Sequence, residues 1–481
     1  MFTNNNFFNY LGKKALLPGA FKPACFTDVV MKEIYKYKED LEKLINAGQE
    51  IKILTLISRF HPDDIAELLE NLEEEEKSKL FRLLDVETAS DVIMELNDIS
   101  RELIIEDMSS EELSEIVDDM PSDDAADFIG DLPEEQKQEI LSHLDQEKSE
   151  DVQMLLEYPE DSAGGIMQTE LISVKQHLTV SAAIDLIRSL SDEVEDFHNV
   201  FATDENEKLV GVLPLRKLIL AKPETSISSI MDKSLIYVNA DMDQEEVANT
   251  VKRYDLISLP VVDSDMHLLG RIMVDDVIDV IQEEDSEDIF RMVGISEEED
   301  VVYSGAIYKV CMTRLPWLVF ILFGTLLSGY FLWVYESTLK ELLALVTFVP
   351  VICAMSGNVG VQSTSIVIRG LATGRIDFLN LKKMVLKELV VGIVIGLICA
   401  FIGACIGVLW HGNMIMGVSI FLAMFITITF AAFTGVLIPV FFKKMKIDPA
   451  VASGALVTTS NDLIAINIYF LLASWLMKTL G

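Results

Sequence analysis

Histidine and cysteine are scarce in this chain of 481 residues, which has 6 His and 5 Cys. The cysteines, Cys25, Cys311, Cys353, Cys399 and Cys405, form no CxxC and no Cys/His pair. That excludes a disulfide framework and a thiolate site for zinc or copper. A glycine-rich phosphate loop and a phosphorylated-aspartate motif are both absent, which excludes a nucleotide-driven pump. The first residues, MFTNNNFFNYLGKKALLPGAF, lack a long apolar stretch and a small-residue cleavage site, so no signal peptide is expected. Basic residues are few: 38 Lys+Arg stand against 77 Asp+Glu, a net charge of −39. Such a chain repels nucleic acid and attracts cations.

Half of the chain, 50%, is nonetheless hydrophobic. The conflict resolves near residue 310. Residues 311–481 hold 11 Lys+Arg and 6 Asp+Glu, a net of +5, so the remainder carries −44. An acidic soluble part is joined to a membrane part with a mildly basic edge.

Residues 28–158 read as many short helices. HPDDIAELLENL, VETASDVIMEL, SSEELSEIVDDM and PSDDAADFIGDL each open with a capping residue and early acids, then space apolar residues at i, i+3, i+4. Recurrence every 11–13 residues predicts a stacked helical superhelix. For any one acid here the simplest reading is a solvated helix face.

A second repeat begins at Asp161. Ile166–Ile187 (IMQTELISVKQHLTVSAAIDLI) matches Ile230–Val251 (IMDKSLIYVNADMDQEEVANTV) at an offset of 64 residues. Each half alternates helices with short Val/Ile/Leu strands separated by acidic turns. The pair resembles tandem CBS domains, a regulatory module that often binds adenine nucleotides. The last helix of the second copy then runs on from Met273 to Gly294 without a breaker. Asp276, Asp279, Glu283 and Glu287 recur on it at three- and four-residue steps, so they share one face. Like charges stacked this way destabilise a helix unless cations sit among them. The helix predicts a lever between the soluble and membrane parts.

Five segments are long and apolar enough to cross a bilayer: Leu315–Tyr335, Leu342–Ile368 broken around Pro350 and Gly357, Val385–Trp410, Ile415–Phe442 and Val451–Met477. Lys309 and Arg314 precede the first. Arg369, Arg375, Lys382, Lys383 and Lys387 separate the second and third, and Lys443, Lys444 and Lys446 the fourth and fifth. The other loops hold Lys340, with Lys478 near the end. The positive-inside rule puts the N-terminal part in the cytoplasm and the C-terminus outside.

Inside the fifth segment stands one carboxylate, Asp462. At mid-membrane an Asp costs about 2.5–3.5 kcal/mol, so it is expected to face a partner, a water cavity or an ion path. The second segment carries Asn358, Gln362, Ser363 and Thr364, and the fifth adds Ser453, Thr458, Thr459, Ser460 and Asn461. An all-oxygen inventory suits magnesium or calcium. One carboxylate is too little to neutralise a divalent ion, so a two-fold dimer is suggested. Asp448, beside Lys443–Lys446, reads as a helix-capping or charge-pairing residue.

PVICAMSGNVGVQS and DPAVASGALVTTSND, with the acidic helices, the CBS pair, the long helix and the five spans, resemble the MgtE family of magnesium channels. The likeness covers nearly all of the chain after residue 28. It implies a homodimer with a pore on its axis between second and fifth helices. The pore aspartate falls on Asp462, and the second-helix motif on Gly357, Asn358, Gly360 and Gln362, with the preceding backbone at Ala354. Thr458 joins this pore set. A position that in the family often reads SGP or SNP is Ser453-Gly454-Ala455 here. The resemblance also implies that cytosolic magnesium closes the pore by binding the connecting "plug" helix at Asp276, Asp279, Glu284, Glu287 and Asp288. Its further ligands fall on Glu245 and Asp255 of the second CBS domain and on Asp123, Asp124 and Asp127 of the helical domain.

The expected fold is multidomain: a tail over 1–27, an all-α superhelical domain over 28–160, α+β CBS domains over 161–223 and 224–284, a plug helix over 274–296 and an α-helical membrane domain over 312–481. The expected function is magnesium uptake by a membrane-embedded homodimer that is not an enzyme, with ATP at the CBS pair as a second ligand. A channel for cobalt, nickel, manganese or calcium, or a membrane-anchored CBS nucleotide sensor, are the alternatives.

Overall fold

The computed structural model describes residues 37–480 except 39, 191–196, 296–301, 303–306, 335–342, 374, 377–380 and 452–453. The tail over 1–27, Lys340 and Ser453 lie outside the described residues.

From Glu50 on, the described residues of the acidic part form nine successive helices: α1 Glu50–Ile57, α2 Pro62–Glu70, α3 Glu74–Phe81, α4 Val86–Met94, α5 Asp98–Glu106, α6 Ser110–Asp119, α7 Ser122–Gly130, α8 Glu134–His143 and α9 Gln146–Leu155. Each begins 12 residues after the one before. The helices are under three turns, too short to hold alone, so each is stabilised by packing. Alternate members pack together, α2 on α4, α4 on α6 and α6 on α8, with α3 on α5. Their apolar stripes (Ile65, Leu68 and Leu69; Val92 and Ile93; Ile116 and Val117) are buried. Some of the expected caps are present: Asp85 accepts from the Thr88 N–H, and Ser109 and Glu112 form a capping box. His61 and Pro121, at the N-caps of α2 and α7, supply none. There Pro62 pre-sets the first turn of α2, and Ser122 is drawn into α7 and buried.

The internal repeat becomes two three-stranded sheets of one topology. They are β1 Ser173–Lys175, β2 Asn199–Thr203 and β3 Leu209–Pro214, then β4 Val238–Asn239, β5 Ser258–Val262 and β6 Leu268–Met273. In each the first pair is parallel and the second antiparallel. The connecting helices are α10 Val180–Ser189, α11 Leu215–Leu220, α12 Ile227–Ile230 and α13 Gln244–Tyr254. From β2 and β5 onward the offset is 59 residues, five fewer than before the strands, because the first copy has a longer helix-to-strand connection. Equivalent residues meet: Lys208 bridges His267, and the Asn199 amide donates to the Ser258 hydroxyl at 3.0 Å. The two copies are thus related by a local two-fold.

Beyond β6 runs the long helix α14, Val274–Met292, ended by Gly294 at φ +82°. The left-handed conformation there suits glycine. Among the described residues five apolar helices follow: α15 Ile307–Val334, α16 Val349–Ala372, α17 Leu381–His411, α18 Met414–Lys444 and α19 Gly454–Leu480. A 3₁₀ turn, Leu343–Phe348, leads into α16. Small residues decide how these pack, since lipid is as apolar as Leu. Gly392, Gly396, Gly403 and Gly407 lie buried along α17 against Ala432, Phe425, Met424 and Ile420 of α18. The core around them is formed by Ile352, Met416, Ile428, Tyr469 and Phe470.

One expectation fails. The second segment is not broken at Pro350 or Gly357: α16 is continuous from Val349 to Ala372. Pro350 falls in the first turn, where its missing N–H has no intrahelical partner to lose. Gly357 continues the helix and serves packing.

Candidate pore and cytoplasmic acid cluster

Within α16, Ala354, Asn358 and Gln362 follow at four-residue steps and are exposed on one face of the single chain. The opposite face, with Ser356, Gly360, Ser363, Thr364 and Val367, is buried. Because α16 is uninterrupted, the Ala354 carbonyl already accepts from the amide four residues on. Its second lone pair and the side chains of Asn358 and Gln362 are what the exposed face can offer an ion.

Glycines bring α16 and α19 together. A Cβ on Gly357 would lie 3.1 Å from Thr458 Cγ2 and 3.8 Å from Asp462 Oδ1, so Gly357, Thr458 and Asp462 converge. Asp462 Oδ1 is buried with no hydrogen-bond partner. A Cβ on Gly360 would come within 2.3 Å of Asn461 Nδ2. Asn461 is itself pinned from behind: Thr434 Oγ1 of α18 donates to its Oδ1 at 3.0 Å. The next residue, Gly435, offers its carbonyl to Thr364 Oγ1 of α16, also at 3.0 Å. Pro439 explains why that carbonyl is free. Proline four residues on has no N–H to give it. Adjacent positions of α18 thereby hold both helices that meet at Asp462.

These contacts make a prediction. Gly360→Leu is expected to cut transport at least about tenfold, since the pair α16–α19 cannot keep its spacing. Gly329→Leu on α15, where a Cβ meets nothing within 4 Å, is expected to leave it unchanged. Uptake normalised to protein in the membrane checks the pair.

The second site lies where α14 meets α13 and the neighbouring ends of α16, α18 and α19. Gln244 Nε2 donates to Glu284 Oε1 at 2.8 Å. Asn249 Nδ2 donates to the Ala372 carbonyl at 3.1 Å. Arg369 pairs with Asp285, and Arg291 pairs with both Glu287 and Asp448. Asp448 Oδ1 also accepts from the Ala450 N–H at 2.8 Å, so it is both the capping and the charge-pairing residue expected.

Around these pairs, carboxylates crowd. Burial pushes Glu245 up to about 7, with Lys443 opposing and Glu284 and Asp288 adding repulsion. Burial likewise lifts Glu287 to about 7 against the pull of Arg291. It lifts Asp288 to about 6 with help from Asp448, and it raises Glu284. The acids hold their negative charge reluctantly here, which is the condition under which a cation is welcome.

Of the other sequence-derived candidates, Asp276, Asp279 and Asp255 lie along α14 and α13 away from these acids. Asp276 accepts from the Met273 N–H at 3.1 Å as the first-turn cap of α14, and Asp279 is exposed one turn on. Eleven residues of helix, about 16 Å, separate Asp276 from Glu287. Asp255 caps the far end of α13 from Glu245 in left-handed conformation, φ 52°. Asp123 and Asp124 lie in the first turn of α7, Asp123 buried, with Asp127 exposed one turn later. Among the described residues no group of three or more His, Cys, Asp or Glu is arranged to hold a metal ion within one chain.

Sequence reasoning missed Glu388, Thr434 and the carbonyl of Gly435. Pro439, a proline inside the last turns of a spanning helix, was the signal for the last.

Comparison with known proteins covers most of the chain. Residues 349–472 match the profile of MgtE, a divalent cation transporter family. Residues 60–161 match the MgtE intracellular N domain, and 163–224 and 227–283 match CBS domains. The chain is 36% identical over 329 residues to the magnesium transporter MgtE of Bacillus subtilis, covering 68% of this chain and 72% of that one. It is 36% identical over 333 residues to the magnesium transporter MgtE of Thermus thermophilus, with the same coverage. Among solved structures, the cytosolic domain of the Mg2+ channel MgtE in complex with ATP is 32% identical. It matches with a TM-score of 0.48 over 50% of this chain and 99% of that one.

Proposed function

The chain belongs to the MgtE family of divalent cation transporters, a family that moves ions and is not enzymatic, and from that premise we propose that it is a homodimeric magnesium channel. Magnesium is the substrate. It passes inward, down its gradient, along an axis lined by the exposed Ala354–Asn358–Gln362 face and Asp462 of each copy. The observation that carries this reading is Asp462: an Oδ1 buried without a partner, beside Gly357 and Thr458. A buried carboxylate oxygen left unpaired is costly, and two such groups facing one axis would be satisfied by a hydrated divalent ion.

The cytosolic acids supply the gate in this reading. Magnesium among Glu245, Glu284, Glu287 and Asp288 holds α14 against the ends of the membrane helices, and the pore shuts. The N-terminal part is cytosolic and the C-terminus lies outside. Adenine nucleotide at the CBS pair is a second ligand, testable by calorimetry of the full chain with ATP.

Growth at low magnesium tests the main claim. Expressed in cells stripped of their own magnesium uptake, the chain is expected to restore growth. Protein that reaches the membrane without restoring it defeats the proposal. Equal uptake of cobalt, nickel, manganese or calcium would favour a general divalent channel. Nucleotide binding without any ion flux would leave the anchored sensor.

A further inference from the structure

Glu388 lies on α17, seven residues from its first residue, and is 4% exposed. A carboxylate buried in a spanning helix is kept only where it does something. Its oxygen Oε2 accepts from Ser363 Oγ of α16 at 3.0 Å. Ser363 follows Gln362 directly, about 100° round the helix, so the bond grips α16 from behind its exposed face. Thr364, next along, is held by the Gly435 carbonyl that Pro439 leaves free. Two consecutive side chains therefore bond to two different neighbouring helices. Together they resist rotation of α16 about its own axis. The glycine contacts with α19 fix the spacing on one side, and the two hydrogen bonds add an angular restraint on the others that dispersion among aliphatic groups supplies only weakly.

We propose that Glu388 is a positioning residue for permeation: through Ser363 it fixes the rotation of α16, and so the aim of Asn358 and Gln362. The inference rests on the reading of that face as pore lining. Glu388 does not touch the ion. What it needs is an acceptor for the Ser363 hydroxyl, which glutamine also provides.

The test measures the half-saturating magnesium concentration for uptake, together with the maximal rate per copy in the membrane. A variant that merely misfolds lowers the maximal rate and leaves half-saturation alone. Ser363→Ala and Glu388→Ala are each expected to raise half-saturation at least about five-fold. Glu388→Gln should stay within about two-fold of wild type, and the double alanine variant should be no worse than either single one. Where Glu388→Ala fails to reach the membrane, Ser363→Ala reads the same bond without removing the buried acid. Unchanged half-saturation in Ser363→Ala overturns the proposal. So does a Glu388→Gln as impaired as Glu388→Ala, since the charge itself would then act on the ion. Asp462→Ala in the same assay separates the two levels. If it transports like wild type, the pore reading fails. If it is inactive while Ser363→Ala is normal, only the positioning role falls.

Discussion

Asp462→Ala is expected to lower magnesium uptake about 100-fold, since a carboxylate held in the bilayer at about 3 kcal/mol is worth that factor to an ion it serves. Asp462→Asn should be nearly as severe, because the amide keeps the shape and loses the charge. Stability should move the other way. Asp462 Oδ1 is buried without a hydrogen-bond partner, so its removal relieves a desolvation penalty. Thermal unfolding of the alanine variant in detergent is therefore expected at higher temperature than wild type. The opposition of signs is informative: a residue that costs stability and supports flux is retained for function. Both variants transporting within about two-fold of wild type would sink the pore assignment. A drop in both flux and melting temperature would make Asp462 a packing residue instead.

How much of this was legible in the sequence varies with the kind of signal. The 12-residue helical rhythm, the internal repeat and the five spans rest on periodicity and length, which the fold preserved. Asp462 was legible because one charge in an apolar run has few explanations. Glu388 was not, because it follows Lys382, Lys383 and Lys387 and reads as part of an interfacial charged edge. Its burial is decided by α16 and α18, and no local pattern reports that. The Pro350 break was read from composition alone. The position of proline within the helix, its first turn, reverses the meaning. On α14 the acid stripe was correctly placed on one helix. Periodicity could not say that the membrane-proximal Glu284 and Asp288 would come within electrostatic reach of Glu245. That convergence depends on α13 lying alongside.

Without divalent cation, the join between α14, α13 and the membrane helices is expected to loosen as pH rises from 6 to 8. The folded pKa values of Glu245 and Glu287 sit at about 7 and that of Asp288 at about 6, all above the ordinary carboxylate range, chiefly through burial. A carboxylate whose folded pKa is raised favours the packed state when protonated. That contribution is complete below about pH 4, and it is lost as pH rises through 6 to 7. Partial exposure and the facing Lys443, Arg291 and Arg369 reduce its size, so a change of about tenfold in protease cleavage of the soluble part is a fair expectation. Magnesium acts on the same groups in the opposite circumstance. It binds the deprotonated acids, so its protection should be largest at pH 8 and small at pH 6, where protons already quiet the repulsion. The variant Glu245→Gln with Glu284→Gln, Glu287→Gln and Asp288→Asn removes the repulsion among these four acids permanently. Its cleavage at pH 8 should match the slow rate of wild type at pH 6 and ignore magnesium. Cleavage of wild type that is equal at pH 6 and 8, and indifferent to tens of millimolar magnesium, would remove the acid cluster from the gate. Protection by magnesium that persists in the neutralised variant would place the sensing ion elsewhere, on acids such as Asp123 or Asp255.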